Sequence, residues 1–217
     1  MVKTELVHQI ADVVNMKKEL KSTIEKASAL PIGEQRLSVL QTLIDYIQAK
    51  RDAKESINLN FICTHNSRRS QLSQIWAKTA AHINGIDVNV FSGGVEVTAF
   101  NERAVASCER LGFDIEKLNN SENPEYIVHI DQDINTKCFS KVYDHADNPK
   151  TAFAAVMTCS DADENCPFIP GTEKRIPLTY EDPKAFDNTD KKSEMYDKRS
   201  LQIASELLHV FKQIDNN

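Results

Sequence analysis

Residues 57–83 change character twice within one short stretch. Ile57-Asn58-Leu59-Asn60-Phe61-Ile62 is a short run of the β kind. The polar segment Cys63-Thr64-His65-Asn66-Ser67-Arg68-Arg69-Ser70 follows at once. Residues 69–84 then carry Leu72, Ile75, Trp76, Ala80 and Ile83 at helical spacing. A strand that passes through a tight polar loop into a helix is the repeating unit of α/β proteins.

The rest of the chain continues that alternation. Val88-Asn89-Val90-Phe91 predicts a second strand, and residues 100–112, with Ala104, Val105, Cys108 and Leu111, a second helix. Ala152–Met157 is an apolar run of the buried-strand kind. Ile176-Pro177-Leu178 predicts a short strand, placed at an edge by its proline. Residues 193–215 predict a closing helix. The expected fold is α/β: a mainly parallel four-stranded sheet with flanking helices. Residues 117–150 are polar, with weak β segments at 126–130 and 136–142, and are expected to form an inserted hairpin and loop.

Residues 1–55 contain no strand-like run. Leu6, Ile10, Val13, Leu20 and Ile24 share one helical face, as do Leu37, Leu40, Ile44 and Ile47, with Pro31-Ile32-Gly33 between them. An N-terminal helical hairpin is therefore expected, separate from a main domain over 56–217. Its apolar stripe requires cover, either from that domain or from a second subunit in a homodimer.

Composition narrows the function classes. A formal net charge of −6 argues against nucleic acid or an anionic membrane as the main partner. No apolar run is long enough to cross a bilayer, and the first residues lack the apolar core of a secretory leader, so a cytoplasmic location is expected. Five cysteines in such a chain are candidate free thiols, catalytic thiols or metal ligands rather than a disulfide scaffold.

Cys63 opens the loop at the carboxyl end of the first strand, where α/β proteins bind ligands. A tight loop feeding a helix N-terminus turns several N–H groups to one point and adds positive potential. Arg69 supplies a planar fork for a tetrahedral oxyanion. The same field favours the thiolate of Cys63, poised for in-line attack. The loop residues Thr64, His65, Asn66, Ser67, Arg68, Arg69 and Ser70 are the candidate oxyanion cradle.

This loop resembles that of the low-molecular-weight protein tyrosine phosphatases and of the thioredoxin-coupled arsenate reductases that share their fold. The resemblance implies Cys63 as nucleophile, Arg69 as the anion-binding arginine, Asn66 as the loop brace and Ser70 as the hydroxyl beside the thiolate. Two positions depart from the family. His65 replaces a glycine, which raises the question of backbone strain, and Arg68 replaces a residue that is often cysteine, pointing either to solvent or to a wider positive rim. The resemblance also implies a general acid in an Asp-Pro pair late in the chain. Tyr180-Glu181-Asp182-Pro183 offers Asp182, with Glu181 as the neighbouring substitute.

A further segment separates the branches of that family. Cys159 and Cys166, in Met157-Thr158-Cys159-Ser160-Asp161-Ala162-Asp163-Glu164-Asn165-Cys166-Pro167, follow the buried strand at its carboxyl end. The arsenate reductases carry a cysteine pair there, and the phosphatases do not. The implied chemistry is a relay from Cys63 to Cys159 to Cys166, ended by thioredoxin or a similar external dithiol, with no bound cofactor. Ser160 and Asp163 resemble a helix start. The spacing is not a common one for zinc sites and no second pair lies nearby, so no metal is expected. Cys108 reads as core, and Cys138 has no assigned role. Arsenate reduction is thus the leading expectation. A phosphatase using Cys63, Arg69 and Asp182 is the first alternative, and a non-catalytic oxyanion-binding or redox-sensing regulator the second.

Overall fold

The computed structural model describes residues 16–165 and 168–215. Two helices, α1 (Lys18–Ser28) and α2 (Glu34–Asp52), precede the sheet. The sheet comprises β1 (Asn58–Cys63), β2 (Asn89–Gly94), β6 (Phe153–Met157) and β7 (Thr172–Ile176), in the order β2-β1-β6-β7 with every pair parallel. Helix α3 (Arg69–Ile83) follows β1 and α4 (Glu102–Arg110) follows β2. The short α5 (Ser160–Asn165) follows β6, and α6 (Lys192–Lys212) closes the fold. The four parallel strands and flanking helices are those expected from the alternation in the sequence.

Alternating side chains divide the core between the two sheet faces. Leu59, Phe61, Ala154 and Val156 join the large cluster beneath α3, α4 and α6, which includes Trp76, Tyr196, Leu207 and Phe211. Ile62, Phe153, Ala155 and Met157 point the other way, into a smaller cluster with Cys159, Ala162 and Ile169, which Cys63 joins at the end of β1. Cys63 and Cys159 therefore belong to one cluster at the carboxyl ends of β1 and β6. The central α3 is buried on nearly all sides, and Trp76 donates from its indole to Ser200 Oγ on α6 at 2.9 Å.

The N-terminal helices find their cover on the main domain. Leu20, Ile24 and Ala27 of α1 and Leu40, Leu43, Ile44 and Ile47 of α2 are buried, and both helices lie against α6. Leu37 departs from its expected place and is exposed. Leu6, Ile10 and Val13 lie outside the described residues.

Two expectations need correction. The last strand lies at Thr172–Ile176 and stops before Pro177, because proline has no N–H to continue a ladder. It remains an edge strand. The segment after α4 is not a lone hairpin. β4 (Tyr126–His129) and β5 (Asn135–Cys138) pair antiparallel, and β3 (Asp114–Lys117) adds a third strand on β4. The sequence of β3, Asp-Ile-Glu-Lys, is too short and too charged to declare a strand; pairing with β4 makes it one. Past β5 the chain returns to the main sheet, where Val142 bridges Gly94 in parallel. No described helix is long and apolar enough to cross a membrane.

Candidate active site

The loop from Cys63 to Arg69 has its carbonyls tied outward, one after another. Cys63 O accepts from Val95 N at 3.3 Å and Thr64 O from Glu96 N at 2.8 Å. His65 O accepts from Ser140 Oγ at 2.9 Å, Asn66 O from Gln71 Nε2 at 3.0 Å and Ser67 O from Asn101 N at 2.9 Å. Arg68 O and Arg69 O accept from Leu72 N and Ser73 Oγ. Peptide units whose oxygens are held outward turn their N–H ends toward the inside of the loop, which is the geometry of an anion nest.

The brace of this loop is Asn66. Its backbone has φ +46°, the left-handed region that asparagine tolerates better than most residues. Its Oδ1 accepts from Lys141 N and Gln71 Nε2, and its Nδ2 donates to Ser70 Oγ at 2.8 Å. Ser70 Oγ lies 3.0 Å from Cys63 Sγ. Because Asn66 already donates to that oxygen, the hydroxyl proton of Ser70 is left to point at sulfur, where a thiolate would accept it. The strain expected at His65 is absent: the positive φ falls one residue later, on Asn66. The His65 ring instead reaches toward Glu96, with Nε2 and Oε2 3.4 Å apart.

Arg68 and Arg69 have different tasks. Arg69 donates through Nη1 to Tyr180 O at 3.0 Å and through Nη2 to Asp182 Oδ2 at 2.8 Å. Its Nε is buried with no hydrogen-bond partner among the described residues. A buried donor of this kind is costly unless something accepts from it, and an oxyanion in the loop would. Arg68 does not extend into open solvent; it lines the cavity beside the loop. It is mostly buried and donates through Nε to Tyr196 Oη at 2.9 Å. Tyr196 in turn donates to Asp187 Oδ1 at 2.7 Å, and burial, helped by that bond, pushes its phenol up to about 12.

The Arg69 arrangement leads to a prediction. Arg69→Lys should weaken binding of inorganic phosphate or arsenate roughly tenfold or more, because a point charge cannot hold the Asp182 carboxylate and an oxyanion together. Inhibition constants for inorganic phosphate would measure it. Unchanged affinity would leave Arg69 as a partner of Asp182 only.

Asp182 is held beside the loop by Arg69. Its Oδ1 accepts from Lys184 N at 3.0 Å and so caps the 3₁₀ turn Pro183–Phe186, while Oδ2 is held by Arg69. Glu181 turns away to Arg199, with its side chain 94% exposed, and is not beside the loop chemistry.

Cys159 is buried against the same loop. Its Sγ lies 3.4 Å from Thr64 Oγ1, and Ala162 N donates to the sulfur at 3.3 Å. Thr64 gives its own proton to Asp161 Oδ2 at 2.7 Å, so its oxygen is free to accept from the Cys159 thiol. Cys166 lies outside the described residues. The other two thiols belong to the large cluster beneath α3, not to the one that Cys63 and Cys159 join. Cys108 and Cys138 are fully enclosed, and burial raises both, Cys138 to about 12 despite Lys141 nearby. Among the described residues no group of three or more His, Cys, Asp or Glu side chains could hold a metal.

Several supporting residues had no signal in the sequence. Gln71, Ser140 and Lys141 hold the back of the loop from α3 and from the segment after β5. Gly94 leaves room for it: a Cβ there would come within 2.7 Å of Asn66 N. Beside the loop opens a cavity of about 510 Å³, lined by His65, Arg68, Phe100, Lys117, Tyr126 and Lys184 among others.

No family model matches the chain. It is 36% identical to "Arsenate reductase 1" of Staphylococcus saprophyticus over 123 residues, which are 57% of this chain and 76% of that protein. It is 32% identical to "Arsenate reductase 2" of Staphylococcus epidermidis over the same shares. Among solved structures, a low-molecular-weight protein tyrosine phosphatase from T. tengcongensis superposes with a TM-score of 0.50 at 16% identity, covering 73% of this chain and all of that one, a likeness of fold.

Proposed function

Since the chain belongs to the arsenate reductase family and has the low-molecular-weight phosphatase fold, we propose that it reduces arsenate to arsenite through a thiol relay starting at Cys63. The reading rests on one observation above the others. A second thiol, Cys159, packs against the oxyanion loop, 3.4 Å from Thr64 Oγ1, in the cluster that Cys63 also joins. A phosphatase has no use for a thiol in that place.

The Cys63 thiolate attacks arsenic(V) held in the loop by Arg69 and the inward N–H groups, and one arsenic oxygen leaves as water with a proton from Asp182. Cys159 then attacks the sulfur of Cys63. The sulfur–arsenic bond breaks, its electron pair stays on arsenic, arsenite departs, and a Cys63–Cys159 disulfide remains. Cys166 attacks Cys159 and returns Cys63 to the thiolate. An external dithiol protein of the thioredoxin kind reduces the Cys159–Cys166 disulfide. Two thiols become one disulfide, which supplies the two electrons.

Hydrolysis of phosphomonoesters is the second reading for the same loop. The cavity of about 510 Å³ beside the loop, lined by His65, Ser67 and Arg68 among others, far exceeds one tetrahedral ion, and on this reading it would take the organic part of an ester. The deciding assay is arsenite production from arsenate with thioredoxin, its reductase and NADPH, run beside hydrolysis of para-nitrophenyl phosphate. Arsenate-dependent NADPH oxidation supports the first reading. Ester hydrolysis without it would replace that reading by the second.

A further inference from the structure

The segment that carries Asp182 has no secondary structure before its 3₁₀ turn, and it is held in place by contacts from three directions. Tyr180 N donates to Thr158 O at 3.1 Å, next to Cys159. Tyr180 O and the Asp182 carboxylate both accept from Arg69. The third hold comes from the N-terminal helices. Arg36 of α2 donates through Nη1 to Thr179 O at 3.0 Å, and its guanidinium stacks 5.0 Å from the centre of the Tyr180 ring. Arg36 is itself fixed by Glu206 of α6, which accepts from both Nε and Nη2 and is almost fully buried. The planar fork thus gives two donors to α6 and one to the acid-bearing segment.

We propose that Arg36 is a positioning residue: it straps Thr179–Asp182 against the oxyanion loop, so the N-terminal helices help to set the proton donor and the Arg69 fork. The proposal rests on Asp182 being the acid of the reaction described above. It gives residues outside the phosphatase-like domain a part in its chemistry. The simpler alternative is that Arg36 only neutralises a buried carboxylate. Removing both charges together separates the two roles, since no buried carboxylate then lacks a partner.

The test compares the full-length parent with Arg36→Lys and with the double variant Arg36→Leu, Glu206→Leu. Each is assayed on para-nitrophenyl phosphate and on phenyl phosphate. The phenolate of phenyl phosphate is a poor leaving group and needs the proton; para-nitrophenolate needs it far less. In the double variant, kcat for phenyl phosphate should fall roughly tenfold, with a much smaller fall for para-nitrophenyl phosphate and little change in KM. Amide exchange over 179–187 should quicken while exchange over α3 stays at the parent rate. Arg36→Lys keeps one charge but loses the fork, and should show the same asymmetry more weakly. An equal fall for both esters, or parent rates on both together with parent exchange over 179–187, overturns the strap. Asp182→Asn is the control. If it lacks the leaving-group asymmetry, the assignment of the acid fails instead. In that case, or if the parent hydrolyses neither ester, the strap stands or falls on the exchange over 179–187.

Discussion

Cys63→Ser is expected to lower both arsenate reduction and phosphomonoester hydrolysis by roughly three orders of magnitude or more, while leaving phosphate binding within a fewfold of the parent. The serine hydroxyl is not ionised at neutral pH and is a far weaker nucleophile than a thiolate. The site around it would change little. Ser70 Oγ, 3.0 Å from the sulfur, remains a partner for a hydroxyl, and Asn66, Gln71 and Lys141 still brace the loop from behind. The fork of Arg69 is untouched. Loss of turnover with retained binding therefore distinguishes a nucleophile from a structural thiol. Steady-state rates and the inhibition constant of inorganic phosphate, measured on the same preparation, give both halves. A variant that keeps a tenth of the parent rate would remove Cys63 from its assigned role.

The parts of this molecule legible in the sequence are the local ones. Cys63 stands out because its strand, loop and helix are consecutive, and because a tight turn into a helix has chemical meaning by itself. Cys159 stands out because it ends a buried apolar run. The packing of α1 and α2 follows from their apolar faces, although a stripe alone does not say what will cover it. What was illegible depends on contacts between distant residues. Ser140 binds His65 O across 75 positions, and Arg36 binds Glu206 across 170. Neither pair has a spacing rule. The segment 117–150 reads as a polar insertion because its two weak strands are short, yet its Ser140 holds the His65 carbonyl and its Lys141 N–H holds the Asn66 side chain. Arg68 could not be assigned from its neighbours because its partner, Tyr196, comes from α6, 128 positions later. The His65 question was settled by a one-residue shift: asparagine took the left-handed position, so the missing glycine costs the loop nothing at 65.

The second large effect separates the two enzyme readings. Cys159→Ser and Cys166→Ser should each stop multiple-turnover arsenate reduction and largely spare phosphomonoester hydrolysis. The difference lies in the leaving groups. Water can resolve a phospho-cysteine without another thiol, whereas reducing arsenic(V) takes two electrons, which only the pairing of two thiols provides here. Cys159→Ser should fold, because Thr64 Oγ1 and Ala162 N give the new hydroxyl an acceptor and a donor in a site with no exposure. In a single turnover it should form no disulfide to Cys63. Cys166→Ser should halt one step later, with the Cys63–Cys159 disulfide trapped and visible as a cross-linked peptide in a non-reducing digest. The oxidised form has a structural cost in this fold. A bond from Cys159 to Cys63 removes the sulfur that accepts from Ala162 N, the first support of the short helix α5, so amide exchange across 160–165 should quicken in the trapped variant. Unwinding there would carry Cys159 toward the surface, where the next thiol must reach it. If both serine variants reduce arsenate repeatedly at the parent rate, the relay is wrong, and the loop serves an enzyme that releases its product to water.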